Sequence, residues 1–205
     1  MRELIPAAGN NTTNATEIEG HLTQARSWFA KWRRAGEFVR QVEALAELIP
    51  SNQYWTRGSA KWVREAWSLA RYSELSRVTY IRLHKSDPPD AYVCLGREKI
   101  PIEVTFGLAP GRRIGDEYKE AVRLVHQDPD ECRILDMRKV LEARIADKAI
   151  KSYPQGTILL VDLEMSDLAA CHSNTEMMIR EVVARPYPSF RAIQVLWRNQ
   201  VYGRP

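Results

Sequence analysis

The stretch from Pro88 to Thr105 reads PPDAYVCLGREKIPIEVT. Residues 91–95 (AYVCL) and 100–106 (IPIEVTF) are two short runs of β-formers joined by GREK, with Gly96 at the start of the connection. Their length and spacing predict an antiparallel hairpin. Strand alternation puts Ile102 and Val104 on one face and Glu103 with Thr105 on the other. A carboxylate among such neighbours costs free energy if it is buried without a partner. Asp90 opens the same hairpin directly after two prolines. A hard divalent cation would satisfy both acids, since Mg²⁺ takes one or two carboxylates together with waters and phosphate oxygens. It would then activate a water and stabilise charge on a phosphate in transfer.

Upstream of the hairpin, RVTYIRLH (77–84) reads as a strand. A helix is expected from Ser59, as N-cap, to Leu75, with Trp62, Ala66, Leu69 and Tyr72 on its inner stripe. Residues 17–48 carry helical periodicity in Trp28, Trp32, Phe38, Val42, Leu45 and Leu48, with Gly36 as a candidate break. Downstream come a glycine-rich loop (108–115) and a helix from about Asp116 to Val125. A long helix follows from about Arg133 to Tyr153, stopped by Pro154 and Gly156. TILLVDL (157–163) is apolar enough for a strand buried on both faces. A helix over 175–184 and a last strand, AIQVLW (192–197), complete an α/β order around a mixed sheet.

With that order in place, PPDAYVCLGREKIPIEVT resembles motifs II and III of the PD-(D/E)XK nuclease superfamily: an Asp after Pro, a short hairpin, then Glu-x-Lys in an apolar strand. The resemblance covers roughly residues 59–163 and implies a restriction-endonuclease-like αβββαβ core. Residues 1–58 are then a polar lead and helical extension, and 59–205 the nuclease-like domain. The resemblance implies a Mg²⁺- or Mn²⁺-dependent nuclease, with Asp90, Glu103 and the Val104 carbonyl holding the metal. DNA is the implied substrate, with RNA as the alternative. Members of the superfamily often act as dimers, for which the tryptophans would supply an interface. The chain departs from the pattern at Thr105, where the usual lysine stands. A hydroxyl can hydrogen-bond a water or phosphate but carries no charge. The departure leaves open a domain that keeps the fold without catalysis and serves as a nucleic-acid-binding or protein-interaction module.

A replacement lysine is available. With Leu141 at the centre of the long helix's buried stripe, Ile134, Met137 and Ile145 fall within about 40° of it, and Lys148 lies on the same stripe. Lys148 is either a lysine snorkelling at the stripe's end or a catalytic group. Lys151, about 60° away, is the second candidate. Some members of the superfamily carry their lysine on this helix, and IADKAIKSY resembles theirs. A third acid often comes from the first core helix. Glu65, 25 positions before Asp90, resembles the layout of archaeal Holliday-junction resolvases, with Glu74 as an alternative. Otherwise Glu65 is an exposed residue paired with Lys61 at i, i+4. Arg112 and Arg113, on the loop beyond the hairpin, suit either phosphate contact or a solvated basic turn. Lys31, Arg33 and Arg34 surround Trp32, an interleaving that suits nucleic acid, although tryptophans more often serve cores and interfaces.

Composition agrees with a soluble domain and constrains little else. The net charge of +4 permits a polyanionic partner without requiring one. Cys94, Cys132 and Cys171 have neither disulfide-framework nor zinc spacing, and the four histidines share no spacing. Neither GxSxG nor a Cys/His signature is present, so covalent hydrolase chemistry has no support. No signal-like or bilayer-length apolar run occurs, and a cytoplasmic location is expected.

Overall fold

The computed structural model describes residues 15–50, 54, 58–85, 88–107, 130–163 and 172–204. It is an α/β protein built on a seven-stranded mixed sheet, with five α-helices among the described residues. In chain order these are α1 (Ala15–Phe29), β1 (Arg33–Arg34), α2 (Ala35–Leu48), α3 (Lys61–Leu75), β2 (Val78–Leu83), β3 (Ala91–Leu95), β4 (Glu98–Phe106), α4 (Asp130–Ala149), β5 (Ile158–Asp162), α5 (His172–Val183), β6 (Ala192–Trp197) and β7 (Gln200–Tyr202). The strands lie in the sheet in sequence order. β1 to β4 pair antiparallel, β4, β5 and β6 run parallel, and β7 returns antiparallel on β6. Each parallel step needs a crossover, and α5 lies within the one from β5 to β6.

The sheet separates two apolar cores. On one face, Ile81, Leu83, Ala91, Val93, Ile100, Ile102 and Val104 pack with α1, α2 and α3. On the other, Leu159, Val161, Ile193, Val195 and Trp197 pack with Met137, Leu141 and Ile145 of α4 and with α5. β5 is buried along its whole length because its residues alternate between the two cores. The N-terminal helices α1 and α2 share the core of α3 and the hairpin strands and are part of the same packing.

Several element boundaries differ from the sequence reading. The first helical stretch breaks at residues 30–34, not at Gly36, which lies in the first turn of α2. Arg33 and Arg34 pair with Ile81 and Tyr80 instead, and Trp32 therefore lies outside the helices. Ser59 does not cap α3. The N-cap is Ala60, after one 3-10 turn, and the Ser59 hydroxyl donates to Glu19 Oε2 at 3.0 Å. The long helix begins at Asp130 and ends at Ala149, short of the expected Tyr153. AIQVLW is not the last strand: Arg198 and Asn199, both at positive φ (49° and 57°), form a tight turn into β7. Two consecutive positive φ values suit a type I′ hairpin turn. The helix expected near residues 116–125 lies outside the described residues, as do Arg112, Arg113, Cys171 and His126.

β7 also sets a glycine requirement. Gly203 has φ of +97°, and a Cβ there would stand 2.3 Å from the Ile193 carbonyl oxygen. Gly203→Ala combines left-handed strain with a clash against sheet backbone. It should lower the unfolding free energy by about 2 kcal/mol or more, read as a fall in the urea midpoint at unchanged slope. A wild-type midpoint would contradict the packing of β7 on β6.

Candidate active site

The hairpin places Asp90. The β3–β4 ladder ends at the Ala91–Ile102 pair, and the loop before it is closed by the His84 N–H donating to the Asp90 carbonyl at 2.8 Å. Beyond the last pair, the Val104 N–H has no ladder partner on β3, and it donates to Asp90 Oδ2 at 2.8 Å. Asp90 thus stands in for a missing strand residue, and its carboxylate lies against the main chain just past Glu103. Burial, then the charges of Glu65 and Glu103, push the Asp90 carboxyl up to about 7; the Val104 hydrogen bond and Lys148 oppose that only in part.

Glu103 is 1% exposed, in the middle of β4. It points to the face opposite Ile102 and Val104, level with Leu159 on β5. Its Oε1 accepts from Lys148 Nζ at 2.5 Å, and its Oε2 is buried with no hydrogen-bond partner. Lys148 comes from the last turn of α4, 45 residues along the chain, with its side chain 20% exposed. Met137, Leu141 and Ile145 hold the inner face of α4 on the sheet, and Lys148 follows at the same azimuth, which carries it to β4. Lys151 is exposed beyond the helix end, its N–H donating to the Lys148 carbonyl.

Glu65 is 8% exposed, not an ordinary surface glutamate, and pairs with Lys61 at 3.2 Å. Burial raises its carboxyl, Lys61 opposes this, and Glu103 raises it further, so Glu65 belongs to the same electrostatic group. Glu74 is exposed. Thr105 is buried two residues past Glu103 on the same sheet face, level with Val161. A cleft of about 190 Å³ lined by Asp90, Glu65, Lys61, His84, Lys85 and Arg26, among others, opens beside Asp90 and Glu65; Glu103 and Lys148 do not line it.

Among the described residues, no three histidine, cysteine, aspartate or glutamate side chains gather closely enough to hold a metal ion by themselves. The donor set fits a cation that takes only two carboxylates and fills its shell with water and substrate oxygen, as Mg²⁺ does. Two features support the fit. The unpartnered Glu103 Oε2 is an orphan acceptor in a buried setting, where nearly all such atoms are satisfied. The Asp90 carboxyl is raised first by burial and then by the charges of Glu65 and Glu103, and a bound cation would oppose both effects.

Sequence periodicity gives no sign of Asp162, which sits at the end of an apolar strand, buried, and accepts from Ser68 Oγ of α3 at 2.5 Å. A buried acid in so apolar a run was a usable signal, and the bond ties α3 to β5. Compared with protein-family models, with curated proteins and with solved structures, the chain matches none.

Proposed function

We propose that this chain is a metal-dependent nuclease of PD-(D/E)XK type, hydrolysing phosphodiester bonds in DNA, with a restriction-endonuclease-like core formed by α3, β2–β4, α4 and β5. The observation that carries the reading is the Lys148 ammonium on Glu103 Oε1, beside an Asp90 carboxylate fixed by the Val104 main chain. The lysine reaches Glu103 from 45 residues along the chain, arriving from α4 where Thr105 leaves the strand without one, and Asp90 feels the charges of both. A bound Mg²⁺ or Mn²⁺ would supply a water of lowered pKa and positive charge for the phosphate. Asp90 and Glu103 would hold it, with the Val104 carbonyl. Lys148, in the last turn of α4, would orient the attacking water or take up charge on the scissile phosphate. The Thr105 hydroxyl offers a further polar contact, and Glu65 a carboxylate reached through water.

The test is cleavage of supercoiled plasmid, single-stranded DNA and RNA with Mg²⁺ or Mn²⁺ against EDTA. Metal-dependent cleavage is expected. No cleavage of any substrate, with no metal binding by calorimetry, would leave the non-catalytic nucleic-acid-binding module that Thr105 favours. Lys148→Met separates the roles within the site. It should lower the cleavage rate by about 10²–10³-fold, the cost of losing one charged donor to the transition state, while metal affinity holds, because Glu103 keeps both oxygens. Loss of metal binding in this variant would instead make Lys148 a structural support.

A further inference from the structure

The sheet face that carries Glu103 continues outward over β4, β3, β2 and β1. Because Ala91, Val93, Ile100, Ile102, Ile81 and Leu83 face the first core, their strand neighbours face the other way. Tyr80, Arg82, Tyr92, Cys94, Lys99 and Pro101 therefore share the face of Glu103 and Thr105. The ladder pairs Arg82 with Tyr92, Tyr80 with Cys94, and Arg34 with Tyr80, which brings Arg34 onto it too. Among the described residues, the second core holds no residue of β2 or β3, so α4 and α5 do not cover this part of the face.

The face is built from rings and cations. The Arg82 guanidinium lies 5.2 Å from the Trp32 ring centre and 4.8 Å from that of Tyr92. Lys99 Nζ lies 4.3 Å over the same tyrosine ring, and His84 meets that ring edge-on at 5.3 Å. Trp32 is 37% and Tyr80 42% exposed, so part of each ring is open to a ligand. Arg82 Nε is buried without a hydrogen-bond acceptor. On the outward positions of β1 to β4 no carboxylate occurs before Glu103, so the charge is uniformly positive up to the acids. Lys99 and Glu103 are four residues apart on one strand, about 13 Å.

We propose that this face is a stacking platform that holds an unpaired nucleic-acid strand and leads it to Glu103 and Lys148. Bases stack on Trp32 and Tyr80, while Arg34, Arg82 and Lys99 meet the phosphates, the last two held in place by the Tyr92 ring that they pack over. Ring faces of this kind recognise bases whose own faces are free, and a duplex hides them; cations alone would not discriminate. The proposal rests on the nuclease reading for its destination, but strand binding itself needs neither metal nor catalysis.

The experiment is fluorescence anisotropy in EDTA, with a short labelled single strand, as DNA and as RNA, against the corresponding duplex. Wild type is expected to bind a single strand of at least one polymer about tenfold or more tighter than duplex, and the two strand arms identify the polymer. Trp32→Ala and Tyr92→Ala should each weaken that binding by between about five- and a hundredfold, with duplex binding unchanged. Tyr92→Phe keeps the ring and should bind as wild type, and Tyr80→Ser, at an exposed site, tests the platform without a core change. Equal affinity for strand and duplex, or wild-type binding by Trp32→Ala, Tyr92→Ala and Tyr80→Ser, would overturn the proposal. Because the titration is made without metal, strand binding in a protein that cleaves nothing would refute the nuclease reading and leave the platform standing.

Discussion

Glu103→Gln is expected to abolish metal-dependent cleavage, with a loss of at least about 10³-fold, because it removes a charged ligand and a buried electrostatic anchor in one step. The substitution is nearly isosteric, so packing against β5 is retained. What changes is charge. Glu103 Oε2, now an unpartnered acceptor, becomes an amide nitrogen or a neutral oxygen, and neither attracts a dication as a carboxylate does. Calorimetry with Mn²⁺ should show no heat of binding for this variant. The ion pair with Lys148 is lost as well, but the ammonium is partly exposed at a helix end and turns to solvent. The melting temperature should therefore move little, which separates loss of chemistry from loss of fold. Retained cleavage in Glu103→Gln would remove Glu103 from the site.

The second large effect concerns pH and stability without metal. Asp90 has its carboxyl raised from 3.8 to about 7 in the folded protein, whereas the unfolded chain ionises it at the ordinary value. Between those two values the folded state binds the extra proton. Stability from this group is therefore highest below about pH 4, falls as pH rises through 7, and stays low above. The ceiling on the change is about 4 kcal/mol. Asp90→Asn keeps an oxygen for the Val104 N–H and removes the titration. In EDTA, urea unfolding of wild type minus that of Asp90→Asn should thus decline from pH 5 to pH 8, with the variant the more stable at pH 8. A saturating divalent cation should reverse the order at pH 8, since it stabilises only the protein that binds it. A difference independent of pH would mean that Asp90 ionises freely.

How much of this was legible in the sequence varies from residue to residue. The hairpin was, because turn chemistry at Gly96 and the alternation of Ile102, Val104 and their neighbours are local signals. Lys148 was legible as an anomaly, a charge on an apolar stripe, but only the packing of α4 says whether such a lysine snorkels or turns inward. Glu65 could be named by position, yet its burial and its pairing with Lys61 depend on how α3 meets the sheet. β1 and β7 were missed for a shared reason. Two or three residues carry no periodicity, and the turn at Arg198–Asn199 lacks the glycine that usually announces a type I′ hairpin. The row of rings and cations was hidden for another: Trp32, Arg82, Tyr92 and Lys99 come from four separate segments, and only the strand register lines them up. Ser68 and Asp162 meet across 94 residues, a contact no local pattern encodes.

The most direct test of the central claim is plasmid nicking in Mn²⁺ by wild type, Asp90→Asn, Glu103→Gln and Lys148→Met, each folded by circular dichroism and each assayed again in EDTA. The account predicts nicking by wild type that EDTA stops, none by the two acid variants, and a greatly slowed rate in Lys148→Met. Nicking that survives EDTA, or that proceeds equally in wild type, Asp90→Asn and Glu103→Gln, would contradict it.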